Sequence, residues 1–150
     1  MILDERTEFC DATSAILNIG NAIIGDVVDL GATPTLRDIG NGEPLYLVIQ
    51  VTTAFVGATA TIQFQLASDS TANLATSKTV HYDTGAIAVA SYIAGFTKVV
   101  ALPMEVTYER YLGLWETVAT ANVTAGAINA FLTHDAAKWA AYDDGQTAAA

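Results

Sequence analysis

The sequence predicts an all-β protein, a sandwich or barrel of about eight short antiparallel strands. Three observations carry that prediction. Apolar residues recur mostly with period two rather than 3.6. Gly, Asn, Asp and Pro punctuate the apolar runs at fairly even spacing. No long segment holds a helical period, so the crossover helices of a parallel α/β sheet are missing.

Taken in order, the first run is AIIGDVVDL at 22–30, β-branched and stopped by Gly31. LYLVIQVTTAF at 45–55 puts Leu45, Leu47, Ile49 and Val51 on one face and Tyr46, Val48, Gln50 and Thr52 on the other. Its apolar, uncharged start at 45–51 would aggregate on an open edge, so it is expected at a central position or under a partner subunit. ATIQFQLASD alternates more cleanly, with Ile62, Phe64 and Leu66 inward and Gln63 and Gln65 outward. VGAT, between these two runs, is short enough for a hairpin. KTVHYDT (78–84), AIAVAS (86–91) and TKVVALP (97–103) follow, the last stopped by Pro103. YLGLWETV (111–118) and AGAINAFLT (125–133) read as a closing hairpin. The Ala-rich pieces DATSAIL (11–17) and DAAKWAAY (135–142) read as short helices.

The chain of 150 residues is one domain long. Apolar residues make up 52% and charged residues 15%, a globular composition. The formal net charge of −10 leaves too few Lys and Arg to displace counterions from a nucleic-acid backbone. Cys10 is the one cysteine, so no intrachain disulfide forms. Its expected role is a small apolar residue near the start of the chain. MILDERTEFCDA places charges where the apolar region of a signal peptide would run. No stretch approaches the ~18 apolar residues of a membrane helix. The expectation is a soluble protein made in a cytosol, with neither nucleic acid nor membrane as a partner.

A search for chemistry returns mostly negatives. The histidines are His81 and His134, and two isolated imidazoles do not make the metal site of a cupin. His134 precedes Asp135, but no G-x-S-x-G accompanies them. Asp26 with Asp29, and Asp143 with Asp144, lack the spacing of a calcium loop. Gly40 and Gly42 precede no lysine and no helix, so they are not a phosphate loop. Lys78, Lys98, Arg110 and Lys138 are scattered. The reading is no catalytic residues, no metal and no cofactor.

The ends differ from the middle. Residues 1–20 read as an N-terminal arm, 21–135 as the sandwich and 136–150 as a C-terminal arm. The tail carries Trp139 and Tyr142 among alanines and acids, which fits either a frayed end or an arm that anchors aromatics in a neighbour. Ile2, Leu3 and Phe9 are the equivalent docking groups at the other terminus.

The order of features adds more than any one of them. MILDERTEFCDA, DVVDLG (26–31), GEPLYLVIQVTTAF (42–55), TIQFQLASD (61–69), AGFTKVVALPM (94–104), ERYLGLWETV (109–118) and TAGAINAFLTHD (124–135) run in one series. Together they resemble the capsid cement, or decoration, proteins of tailed bacteriophages of the Bordetella-phage type, from Met1 to about Asp135. The chain departs from that pattern at Cys10 and past residue 135. The resemblance implies a jelly-roll β-sandwich that self-associates, as a homodimer or a trimer. It implies a place on the outer surface of an icosahedral head, bridging major capsid protein subunits against internal DNA pressure. It brings no catalytic residue. Ile2, Leu3, Asp4 and Phe9 match the N-terminal segment and are its implied interface, with Trp139 and Tyr142 as candidates in the tail. Tyr111, Leu112, Phe131 and Leu132 match the final strands and are expected in the core. The alternative reading is a carbohydrate- or receptor-binding jelly-roll module of a virion or tail, with Trp115, Tyr46 and Trp139 as a stacking platform.

Overall fold

Alternation of apolar side chains becomes two stacked antiparallel sheets in the computed structural model, which describes residues 7–15, 18–32, 43–104 and 106–136. Nine strands follow one another: β1 (Glu8–Ser14), β2 (Gly20–Asp29), β3 (Tyr46–Val56), β4 (Thr61–Asp69), β5 (Thr79–Asp83), β6 (Ile87–Ala88), β7 (Thr97–Ala101), β8 (Tyr111–Ala119) and β9 (Ala125–Thr133). One sheet has the order β1-β9-β3-β7 and the other β2-β8-β4-β5, with β6 also on β4. The chain changes sheet at every connection except those between β4, β5 and β6. That winding is a jelly roll.

β5 and β6 are one edge strand with a break. β5 pairs with Gln65–Ser68 of β4 and β6 with Thr61 and Ile62 of the same strand. Between them the Thr84 amide donates to the Phe64 carbonyl at 3.0 Å, and Thr84 Oγ1 accepts from the Phe64 amide at 2.9 Å. Gly85, at φ +70°, then turns the chain out of the ladder.

The core lies between the inner faces. Leu47, Ile49 and Val51 of β3 meet Ile62, Phe64 and Leu66 of β4 and Leu112, Leu114 and Val118 of β8, all buried. Phe55, Phe64, Tyr92 and Phe96 form an edge-to-face chain with ring centroids 5.2–6.2 Å apart. β3 is central, flanked by β9 and β7, as its uncharged sequence requires.

Three local expectations are corrected. VGAT does not close a hairpin: β3 and β4 lie in opposite sheets, and residues 57–60 turn the corner of the sandwich. β8 and β9 are likewise in opposite sheets, so the closing hairpin is a second corner. Alternation reports which face of a strand is buried, but not which sheet receives the next strand. Third, Glu8–Ser14 lies inside the expected N-terminal arm and across part of the expected helix at 11–17, yet it pairs along β9. Two register shifts and Ala12 at φ +44° break its alternation, which hid it as a strand. Residues 137–142 of the second expected helix lie outside the described residues.

One seam between the sheets is shut by backbone contact. At the β1–β2 side, β2 bulges between Ile24 and Val27, and Gly25 sits at φ +74° with its α-carbon against β1. A Cβ there would overlap the Phe9 carbonyl oxygen and lie 2.6 Å from Cys10 Sγ. Cys10 Sγ itself lies 3.5 Å from the Ile24 carbonyl, to which it donates.

Gly25→Ala is therefore expected to cost more than about 3 kcal/mol, since left-handed strain of roughly 1–2 kcal/mol adds to a backbone clash. Gly85→Ala has similar φ but nothing within 4 Å of the new Cβ. It should cost only about 1–2 kcal/mol of strain. Urea unfolding of both variants measures the gap between them.

Candidate functional site

The connections divide between two ends of the roll. Alternating strand directions place 15, 18–19, 57–60, 84–96 and 120–124 at one end. Residues 30–32, 43–45, 70–78, 102–104, 106–110 and 134–136 gather at the other. The second end carries most of the organised polar chemistry.

Its centre is Asp69, the last residue of β4 and fully buried. The loop of Ser, Thr and Asn at 70–77 wraps its carboxylate. The amides of Thr76 and Ser77 donate to Oδ2 at 2.9 Å each, and the Thr71 amide donates to Oδ1 at 3.0 Å. The hydroxyls of Ser70 and Thr71 add bonds at 3.2 Å. Burial pushes the carboxyl pKa upward. The donated bonds from Ser77, Thr71 and Thr76 outweigh burial and hold it well below the usual carboxylate range. The folded loop drops Leu74 onto the outer face of its sheet. There Gly113 leaves room, since a Cβ would meet Leu74 Cδ1 at 2.9 Å.

One residue earlier, Ser68 Oγ lies 2.7 Å from His81 Nε2 and accepts the Glu109 amide at 3.0 Å. The serine hydroxyl can donate to Nε2 or accept from it, according to the tautomer of the ring. Burial lowers the His81 pKa, against an opposing effect of Glu109. The ring stacks on Tyr108 at 4.2 Å between centroids. This serine–histidine pair has hydrolase distances but not hydrolase access. Ser68 is fully buried, and the Glu109 carboxylate accepts instead from Ser77 at 3.2 Å and Thr79 at 3.4 Å. The arrangement ties β4, β5 and the start of β8 together.

A second unusual group points into the core. Leu112, Leu114, Glu116 and Val118 share the inward face of β8, and Glu116 is 3% exposed. Its Oε1 has no hydrogen-bond partner among the described residues, and burial pushes its pKa up from 4.5 to about 7. Burial also pushes the Cys10 thiol up to about 12, with Asp26, Glu116 and Glu8 adding to it, which leaves the sulfur an inert core atom. Beside it, Glu8, Asp11, Thr13 and Asp26 line an open groove of about 580 Å³ over the closed seam.

The residues picked from sequence scatter. Phe9, expected at a docking surface, is 1% exposed and packs in the core, because β1 turns it inward. Ile2, Leu3, Asp4, Trp139 and Tyr142 lie outside the described residues. Leu112, Phe131 and Leu132 are buried as expected, and Tyr111 is half-buried. Asp29 receives the Arg110 guanidinium through two bonds, at 3.0 and 2.9 Å, and is not paired with Asp26. His134 is exposed, with Nδ1 3.2 Å from the Pro44 carbonyl.

The aromatic platform does not assemble among the described residues. Tyr46 alternates with inward Leu47, so it lies on the outer face of one sheet, whereas Trp115 alternates with inward Leu114 on the outer face of the other. Lys78 Nζ already covers the Trp115 ring at 4.1 Å from its centroid. Gln63 and Gln65 beside it both donate to Asp83, at 2.7–2.8 Å.

Sequence reasoning missed Asp69, the Ser68–His81 pair and Glu116. The signal for Asp69 was present, as an acid closing a strand before a run of Ser and Thr. Nothing in the sequence marked Glu116 except its place in an inward period.

Two outcomes test these groups. Asp69→Ala should lose about 3 kcal/mol or more by stranding amide donors. Its folded pKa is lowered, so its stabilisation is present above the unfolded pKa of 3.8 and lost as pH falls below it. Glu116 has the opposite sign. Its raised folded pKa makes its contribution full below pH 4.5 and lost as pH rises through about 7. Glu116→Gln should flatten the slope between those values and gain up to about 3 kcal/mol on wild type at pH 8. Denaturant titrations at about pH 3, 4.5, 6 and 8 measure both.

No curated protein matches the chain. The Bbp16 family profile matches residues 12–132, from the middle of β1 to the penultimate residue of β9. The match takes in nearly the whole sandwich, both corners and the Asp69 loop, and on it this chain belongs to the Bbp16 family.

Proposed function

We propose that this chain is a capsid cement protein of a tailed phage. It binds the outside of an icosahedral head, bridges major capsid protein subunits and stabilises the shell against the pressure of packaged DNA. It works by contact and not by a reaction. The observation that carries the reading is the Bbp16 family match across 12–132, whose name fits a Bordetella phage protein. The ordered motifs that resemble decoration proteins support it, and the architecture suits it. A two-sheet scaffold with short corners loses little entropy on docking, and many modest contacts repeated over a closed shell add as multivalent binding. The partners under this reading are the major capsid protein and further copies of this chain, with no nucleic acid, membrane or cofactor.

Quantitative mass spectrometry of purified virions from the phage encoding this chain tests the proposal. Hundreds of copies, in simple ratio to the coat protein, are expected. Absence from the particle, or a handful of copies as for a tail module, overturns it.

A further inference from the structure

Charge is distributed unevenly along this chain. Residues 12–25, 44–68, 84–97 and 117–133 contain no Asp, Glu, Lys, Arg or His. In sequence these are four separate stretches. The jelly roll brings their connections together, because β1, β3, β5 and β8 all run toward the same end. Hydrogen bonds join the connections there. The Ile19 amide donates to Asn122 Oδ1 at 3.0 Å, the Thr124 amide to the Val56 carbonyl at 2.8 Å, and the Phe55 amide to the Tyr92 carbonyl at 3.0 Å. Three large aliphatic side chains stand exposed on them: Ile19 at 61%, Val56 at 54% and Ile93 at 63%.

The opposite end also exposes Met104 and Val106, but it carries charge as well. It holds the Asp29–Arg110 pair at 2.9 Å, Glu43 beside His134, and Glu109 with its hydroxyl donors. Seating that end on a protein would strip water from charged pairs, a desolvation cost that their mutual attraction need not repay. Seating the uncharged end strips water from aliphatic, Ala, Thr and Gly surface, the composition from which interface cores are made by excluding charge. A stable pair in solution needs about 800 Å² per partner. The three exposed aliphatics do not by themselves supply that area, so they suit a weak contact repeated many times.

We infer that the uncharged end of the roll, centred on Ile19, Val56 and Ile93, is the surface that seats on the shell, against an uncharged apolar patch of coat protein. The inference rests on the cement reading and adds which end faces down. The charged end then faces solvent, where a net −10 repels other particles and polyanions.

The test uses heads from a phage lacking this gene, incubated with purified full-length chain, and counts bound copies per head. Ile93→Asp, Ile93→Lys and Ile19→Asp change exposed side chains, so their thermal midpoints should stay near wild type. Each should reduce occupancy at least tenfold at a concentration that half-saturates wild type. Met104→Asp, on the opposite end and 56% exposed, should bind as wild type does. Wild-type occupancy from Ile93→Asp and Ile19→Asp, or loss with Met104→Asp instead, overturns the inference while leaving the cement reading standing. Tighter binding by Ile93→Lys overturns the uncharged partner in favour of an acidic one. A solution mass that Ile93→Asp halves, with occupancy unchanged, makes the occupant a second copy and overturns the shell contact. Failure of wild type itself to bind removes the cement reading and this inference with it.

Discussion

The apolar layer between the two sheets is the constraint on which the rest of this molecule depends. Neither sheet can bury its inner face alone, and the strands that supply that face come from distant parts of the chain. β3 is followed by β4 only across a corner, and its partners within the sheet are β7 and β9. β2 has no sheet partner until β8 is made. Almost no local hairpin exists to hold a partial structure, apart from β4 with β5. Folding of this kind is cooperative and slow, because loop closure must precede most of the reward. It also follows that the edge residues serve the centre. The aromatic chain from Phe55 through Phe64 and Tyr92 to Phe96 spans the sheets, and two of its members arrive on the connection into β7.

The two seams between the sheets are closed by different means. At β1–β2 the backbones touch, with Gly25 against Phe9 and little side chain between. At β7 and the broken β5–β6 edge, side chains close the gap and leave a cavity of about 50 Å³ among Ile49, Phe64, Thr84, Tyr92, Phe96 and Lys98. The Tyr92 hydroxyl, buried there with only Thr84 near it and no well-formed hydrogen bond among the described residues, is a cost the fold accepts, like Glu116 at the other side of the core. Both are polar atoms on residues whose remaining bulk fills the layer. Their number is small enough for the aliphatic and aromatic packing to offset.

Strand existence was legible in the sequence because burial imposes period two on each strand separately. Ile62, Phe64 and Leu66 could only be inward once Gln63 and Gln65 were outward. Sheet membership was not legible. The four residues at 57–60 and the five at 120–124 fit a hairpin by length, and nothing local distinguishes a hairpin from a corner. β1 was hidden because its bulges put both Phe9 and Cys10 inward, which breaks the period. The Asp69 loop was half legible, as turn-forming residues without an assigned purpose. The uncharged end was fully written in the sequence as four charge-free stretches. Only the winding of the jelly roll shows that their turns meet.

That last point bears on how a protein of this composition can bind at all. A chain with net charge −10 meets copies of itself with mutual repulsion wherever charged flanks approach. Screening confines that repulsion to about a Debye length, roughly 8 Å at physiological salt, so it acts at contact and not at a distance. Charged groups gathered at one end and along the strands, with none on the described connections at the other, make the molecule electrostatically polar along the strand direction. Such a molecule does not aggregate flank to flank, yet it can lie close to others if a template fixes their spacing. Under the cement reading the shell is that template, and the acidity that keeps free copies apart is also what makes attachment depend on the shell rather than on the copies finding one another.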